Sequence, residues 1–285
     1  MMGKEIICVM GGGTMGAGVA CAFASKDYPV VIIEKNHDQI KKSQDLVNES
    51  LQGQMFFAAE EEKETIQVRC ESNISWQVDY NEVKDCQYII ENIIEDVSTK
   101  KELYLTLREF ANKDAIFIPN TSAIPIAMLG EYVDAPSRMI GIHFMNPVYL
   151  KPVAEVIVTP DTSNDTKEKT LCLLKSIGKR GIIVKDKAGF VVNRVLMQTI
   201  NNAIQVLSEG TATVEDIDDL FINCLGHKMG PLATADLIGL DTIYLTLKVL
   251  QEEYGEEQYK PCELLIDYVN EGKLGRKSKI GFYRY

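Results

Sequence analysis

The chain has 285 residues, room for two domains of about 150 residues each, and at 46% apolar it can build a substantial core, which excludes global disorder. A formal net charge of −11 argues against nucleic acid or a membrane surface as partner, since both call for basic patches. Seven scattered cysteines without a C-x-x-C pair, and no apolar run of about 18 residues, predict a soluble cytoplasmic protein with neither a disulfide framework nor a metal site.

The first predicted element is a strand over residues 6–10. It runs into Gly11, Gly12, Gly13, Thr14, Met15 and Gly16, which fit G-x-G-x-x-G and open a helix over 15–25. Each outer glycine has a task at a dinucleotide site: Gly11 makes the tight turn, Gly13 lets backbone approach a pyrophosphate, and Gly16 permits close helix–strand packing. The helix N-terminus then receives the diphosphate on its N–H groups. A strand over 30–33 ends in Glu34, about 20 residues on, where a carboxylate can accept from both ribose hydroxyls and repel a 2′-phosphate. The six turn residues and Glu34 therefore predict NAD in preference to NADP.

Residues 38–65 are polar and charged, and predict one or two helices projecting from the sheet. Strands follow at 88–90, 115–118, 139–142, 155–158 and 182–184, with a helix over 99–112 among them. That alternation predicts an α/β fold built on a doubly wound parallel sheet. Past residue 187 the strand signal stops, and helical spacing covers 190–208, 214–225, 232–254 and 262–270. The expected organisation is a dinucleotide domain over 1–186 and an all-α domain over 187–285.

Hydride removal from an alcohol needs a base that takes the hydroxyl proton near neutral pH. Of three histidines, His37 falls in a polar run and His227 precedes a helix, both compatible with surface roles. His143 sits at the end of MIGIH, where an α/β sheet presents its ligand side. Glu155 lies within the apolar run PVAEVIV, and a buried carboxylate is costly unless paired. Its partner is either an arginine in a structural ion pair or the far nitrogen of His143, whose tautomer and basicity it would then set. Ser122 in IPNTSAIP and Asn193 in the first helix of the second domain can donate to an alkoxide or carbonyl, or serve as turn and cap residues.

Taken in order, GGGTMGAGVA, IIENIIED, NTSAIP, GIHFMNPV, EVI, AGFVVNR, MGPLATADLIGLD and GRKSKIGFY resemble the 3-hydroxyacyl-CoA dehydrogenase family over almost the whole chain. The resemblance implies a Rossmann domain followed by a helical domain that mediates homodimerisation, with a thioester substrate and NAD as cofactor. It implies His143 as catalytic base, Glu155 as its partner, and Ser122 and Asn193 on the substrate's polar groups. Glu95, Lys100, Ser122 and Asn146 fall where the family contacts the nicotinamide half of NAD.

Four positions depart from the family pattern. Ala188 replaces a proline, Asn92 a small residue and Lys279 a glycine. The fourth concerns the carrier: Ser50 matches a serine that holds coenzyme A phosphates, but Phe57 stands where a lysine does. Around it, residues 53–64 offer Lys63 against Glu60, Glu61, Glu62 and Glu64, a poor cradle for nucleotide phosphates. The stretch GHKMGPLATADLIGLDTI also resembles the branch that oxidises hydroxyacyl groups on acyl carrier proteins for polyketide extender units. The expected substrate is thus a 3-hydroxyacyl thioester of coenzyme A or of an acyl carrier protein. The rivals are a dehydrogenase of a free hydroxy acid or sugar acid, and a non-catalytic NAD-binding protein of the crystallin kind.

Overall fold

Short runs of isoleucine and valine form the centre of the first part of the chain. Strands β1 (Ile7–Met10), β2 (Val30–Ile33), β4 (Tyr88–Glu91) and β5 (Ile116–Pro119) are buried along their whole length, as strands covered on both faces must be. With β3 (Ile74–Gln77) they make a parallel sheet of order β3-β2-β1-β4-β5. The computed structural model describes residues 4–122, 124–255 and 257–285, and the chain divides into two units, residues 1–186 and 187–285.

Helices fill the crossovers of the first unit. α1 (Thr14–Ala24) is buried from Gly16 to its end and packs with Val47 and Leu51 of α2 (His37–Phe57) in one apolar cluster. The polar stretch expected to project is two helices, α2 and α3 (Glu60–Asn73), the second bearing a single buried residue, Cys70. α4 (Val97–Phe110) joins β4 to β5, and α5 (Ile126–Tyr132) follows β5.

The last three strands depart from the all-parallel expectation. β6 (Gly141–His143) runs antiparallel to β7 (Val153–Val158), which pairs in parallel with β8 (Arg180–Lys185) across α6 (Asn164–Ser176). The reason lies in the connection. A parallel crossover takes a dozen or more residues, usually a helix, and the link over 144–152 carries only a 3₁₀ turn at Val148–Leu150. The antiparallel register sets His143 directly opposite Glu155. A parallel bridge between Phe117 and Met139 runs the backbone ahead of β6 alongside β5.

The second unit is helical: α7 (Val192–Ser208), α8 (Val214–Leu225), α9 (Pro231–Ile238), α10 (Leu240–Tyr254) and α11 (Glu263–Asn270). Met197, Ile200, Ile204, Leu232, Ile243, Leu247 and Leu265 meet in its core. The single helix expected over 232–254 is broken at Gly239, whose φ of +105° no helix tolerates. Two buried aspartates fasten the C-terminal segment. Asp218 accepts from the amides of Leu232 and Ala233 and from the Tyr283 hydroxyl, while Asp236 accepts from the amides of Phe282 and Tyr283. Lys279, at the position where the family pattern has glycine, adopts φ +62° in the left-handed region.

Candidate active site

The glycine turn is shaped by close approach. Gly11 has φ +86° and donates its N–H to Ile33 O at 2.9 Å, which ties the turn to β2. A Cβ on Gly16 would lie 1.9 Å from Gly11 O, so α1 begins closer to the turn than any side chain allows. A Cβ on Gly13 would meet nothing within 4 Å, and α1 starts there with no side-chain cap. Open space before an uncapped helix N-terminus fits a diphosphate. Glu34 stands at the mouth of this turn, with Oε1 accepting the Gly12 N–H at 2.7 Å. Thr14 is exposed and Met15 half-buried, on the first turn of α1.

His143, the last residue of β6, is 6% exposed, as is Glu155. Its Nδ1 lies 2.8 Å from Glu155 Oε2. An ionised carboxylate only accepts, so Nδ1 carries the proton and Nε2 is the basic nitrogen. Ser122 Oγ lies 3.3 Å from that Nε2, placing a hydroxyl where a proton can be exchanged. Of the two partners weighed for Glu155, the histidine is the one it meets.

The turn after β5 holds Ser122 there. Asn120 donates its side-chain amide to Asn92 Oδ1 at 2.7 Å, and its own Oδ1 accepts from the Phe144 amide at 3.1 Å. One residue therefore ties the ends of β4, β5 and β6 together. Asn92, a departure from the family pattern, is here part of the scaffold. Glu95 Oε1 accepts the Ser122 amide at 2.8 Å and the Thr121 hydroxyl, fixing the serine backbone.

Behind Glu95 lies Lys100, whose side chain is fully buried. Its ammonium meets both oxygens of Glu91, at 2.6 and 2.7 Å, and Glu95 Oε2 at 3.3 Å. Glu91, the last residue of β4, is equally buried and also accepts the Ile93 amide at 2.8 Å. Burial raises the proton affinity of its carboxyl, and the Lys100 charge opposes that shift. Sequence reasoning passed over Glu91. A carboxylate closing the apolar run YIIE, costly to bury unless paired, was the available signal.

The remaining candidates are more dispersed. Asn146 is exposed beside Pro147. Asn193 lies in the first turn of α7, in the second unit, half-buried. Ser50 is on the α2 face toward α1, its hydroxyl buried with no partner in hydrogen-bonding geometry. His37 is exposed at the start of α2, and His227 packs edge-on to Phe221 with ring centroids 5.3 Å apart.

Comparison with known proteins decides the ancestry. Residues 6–187 match the model of the 3-hydroxyacyl-CoA dehydrogenase NAD binding domain, and residues 189–285 match that family's C-terminal domain. The chain belongs to the 3-hydroxyacyl-CoA dehydrogenase family. It is 37% identical to the 3-hydroxybutyryl-CoA dehydrogenase of Clostridioides difficile, over 98% of this chain and 99% of that one. The crystal structure of Mycobacterium tuberculosis FadB2 superposes with a TM-score of 0.93 at 34% identity, covering 98% of both chains. That of (S)-3-hydroxybutyryl-CoA dehydrogenase PaaH1 from Ralstonia eutropha gives 0.90 at 34% identity, over 99% of each. For a 3-hydroxyacyl-CoA dehydrogenase, the glycine turn, Glu34 and the uncapped start of α1 are the parts of this chain suited to NAD. Among the described residues no helix is long and apolar enough to cross a membrane.

Proposed function

We propose that the protein interconverts a short 3-hydroxyacyl thioester and its 3-oxoacyl form, using NAD, with 3-hydroxybutyryl-CoA as the leading substrate. The observation that carries the reading is the buried cross-strand pair of His143 and Glu155, with the Ser122 hydroxyl 3.3 Å from the basic nitrogen. NAD, when bound, supplies the hydride acceptor. The turn from Gly11 to Gly16 holds the diphosphate on backbone N–H groups, and Glu34 receives the ribose.

The chain's own part is to move a proton. Nε2 of His143 takes it from the 3-hydroxyl, and the buried carboxylate of Glu155 stabilises the imidazolium that forms. Ser122 donates to the substrate oxygen. Base catalysis of this kind is worth roughly 10²–10⁴ in rate. His143→Gln is therefore expected to lower turnover at least about a hundredfold while NADH affinity, titrated by nicotinamide fluorescence, stays close to that of the parent.

One observation favours a second carrier. Lys63, the cation of residues 53–64, is paired with Glu60 at 2.5 Å, and Phe57 is 60% exposed and stacked on Tyr149 at 6.2 Å. A pantetheine arm on an acyl carrier protein brings one phosphodiester and no adenosine, and so makes less demand for cations there. The deciding assay offers one 3-hydroxybutyryl group as free acid, coenzyme A ester and carrier-protein ester. A thioester should exceed the free acid about a hundredfold in kcat/KM, and equal rates would overturn the thioester reading. The exposed apolar residues Val195, Leu220, Leu225, Leu237 and Leu245 support a homodimer through the helical unit, checked by sedimentation mass.

A further inference from the structure

A fully buried ion pair behind a reacting centre needs a reason, because removing both charges in favour of apolar groups is often no loss to stability. Here one ammonium faces two carboxylates. Lys100 contacts both Glu91 oxygens at 2.6 and 2.7 Å, and stands 3.3 Å from Glu95. Glu91 and Lys100 are 0% exposed, whereas the Glu95 side chain is 38% exposed. Glu91 takes the shorter contacts with the ammonium, and the cluster sets two carboxylates against one lysine.

Glu95 in turn accepts the amide of Ser122, whose hydroxyl is 3.3 Å from His143 Nε2. In the reaction proposed above, the carbon losing hydride bears the oxygen that His143 deprotonates. Bound nicotinamide would have to reach that carbon, and Glu95 is the carboxylate hydrogen-bonded to the backbone of the serine beside it. A negative charge so placed favours the cationic oxidised ring over the neutral reduced one.

We propose that Glu91 is an electrostatic positioning residue: by taking up the Lys100 charge it leaves the Glu91–Lys100–Glu95 cluster with a net charge of about −1 and biases the site toward oxidised over reduced NAD. Without Glu91, the lysine would neutralise Glu95 and the bias would be lost. The inference rests on the NAD-dependent reading.

The test is the ratio of dissociation constants for NAD⁺ and NADH, measured by fluorescence titration in the absence of substrate. Glu91→Gln keeps the side chain's shape and removes its charge. It should raise Kd(NAD⁺)/Kd(NADH) on the order of tenfold, the scale of one charge across roughly 10 Å at an effective dielectric of about 20. The double variant Glu91→Gln/Lys100→Met removes both charges and should return the ratio to that of the parent. Glu95→Gln should raise it as Glu91→Gln does.

An unchanged ratio in Glu91→Gln, or a double variant no nearer the parent than the single, overturns the inference, since a packing role predicts further damage rather than restoration. If Glu91→Gln does not fold, the double variant against Glu95→Gln decides: the first must keep the parental ratio and the second must lose it. Failure of the underlying reading looks different, as a parent protein that binds neither form of NAD.

Discussion

Replacing Glu155 by glutamine isolates the contribution of one charge. The Glu155 and His143 side chains are both 7% exposed and their bonding atoms lie 2.8 Å apart, so solvent and salt screen the pair little. Glutamine preserves volume and offers an amide oxygen to Nδ1, but cannot stabilise the imidazolium that forms as the substrate hydroxyl loses its proton. A hydrogen bond to a charged group contributes about 1.5–3 kcal/mol. At about 1.36 kcal/mol per factor of ten, Glu155→Gln should lower kcat by roughly 10- to 150-fold. The glycine turn is untouched, so NAD affinity should stay within about twofold. The measurement is steady-state formation of reduced nicotinamide from 3-hydroxybutyryl-CoA at saturating NAD, with thermal unfolding to confirm the fold. A kcat within about threefold of the parent would refute the argument that the carboxylate supports the base.

Two further outcomes test geometry. Gly16→Ala sets a Cβ 1.9 Å from the Gly11 carbonyl, where real contacts stay beyond 3.0 Å. The first turn of α1 must then shift by about an ångström, a displacement that can weaken function about a hundredfold, read here as NAD affinity; an unchanged affinity would contradict it. Lys279→Gly relieves a left-handed residue at φ +62°. The relief of about 1–2 kcal/mol exceeds glycine's added entropy of about 0.5–1 kcal/mol. Calorimetry should show Tm rising by about 2 °C, and a fall would mean the position is not strained.

The parts of this molecule legible from sequence are those where one residue type has one physical use. Gly11 and Gly16 are required by a turn and a close packing that admit no Cβ, and they announced the dinucleotide turn. The buried strands β1, β2, β4 and β5 stood out as apolar runs between turn residues. β3 escaped notice because its four residues, ISWQ, alternate burial at the sheet edge and lack such a run. Gly239 hid a helix break, since glycine inside an apolar helical pattern is compatible with either reading. The buried Glu91–Lys100 pair spans a loop and the first turn of α4, a spacing no helical or strand period exposes. The cost of burying Glu155 did point to a partner, but the direction of β7 was needed to say which.

That direction carries a consequence for changing this enzyme. Imidazole and carboxylate sit at one rung of a two-stranded ladder, joined by the short return over residues 144–152. Side chains alternate faces along a strand, so sliding one strand by a single residue would turn the acid to the opposite side. Phe144 and Val148 anchor the return in the core, and an insertion there that pulls the ladder out of step would leave the base without its acid.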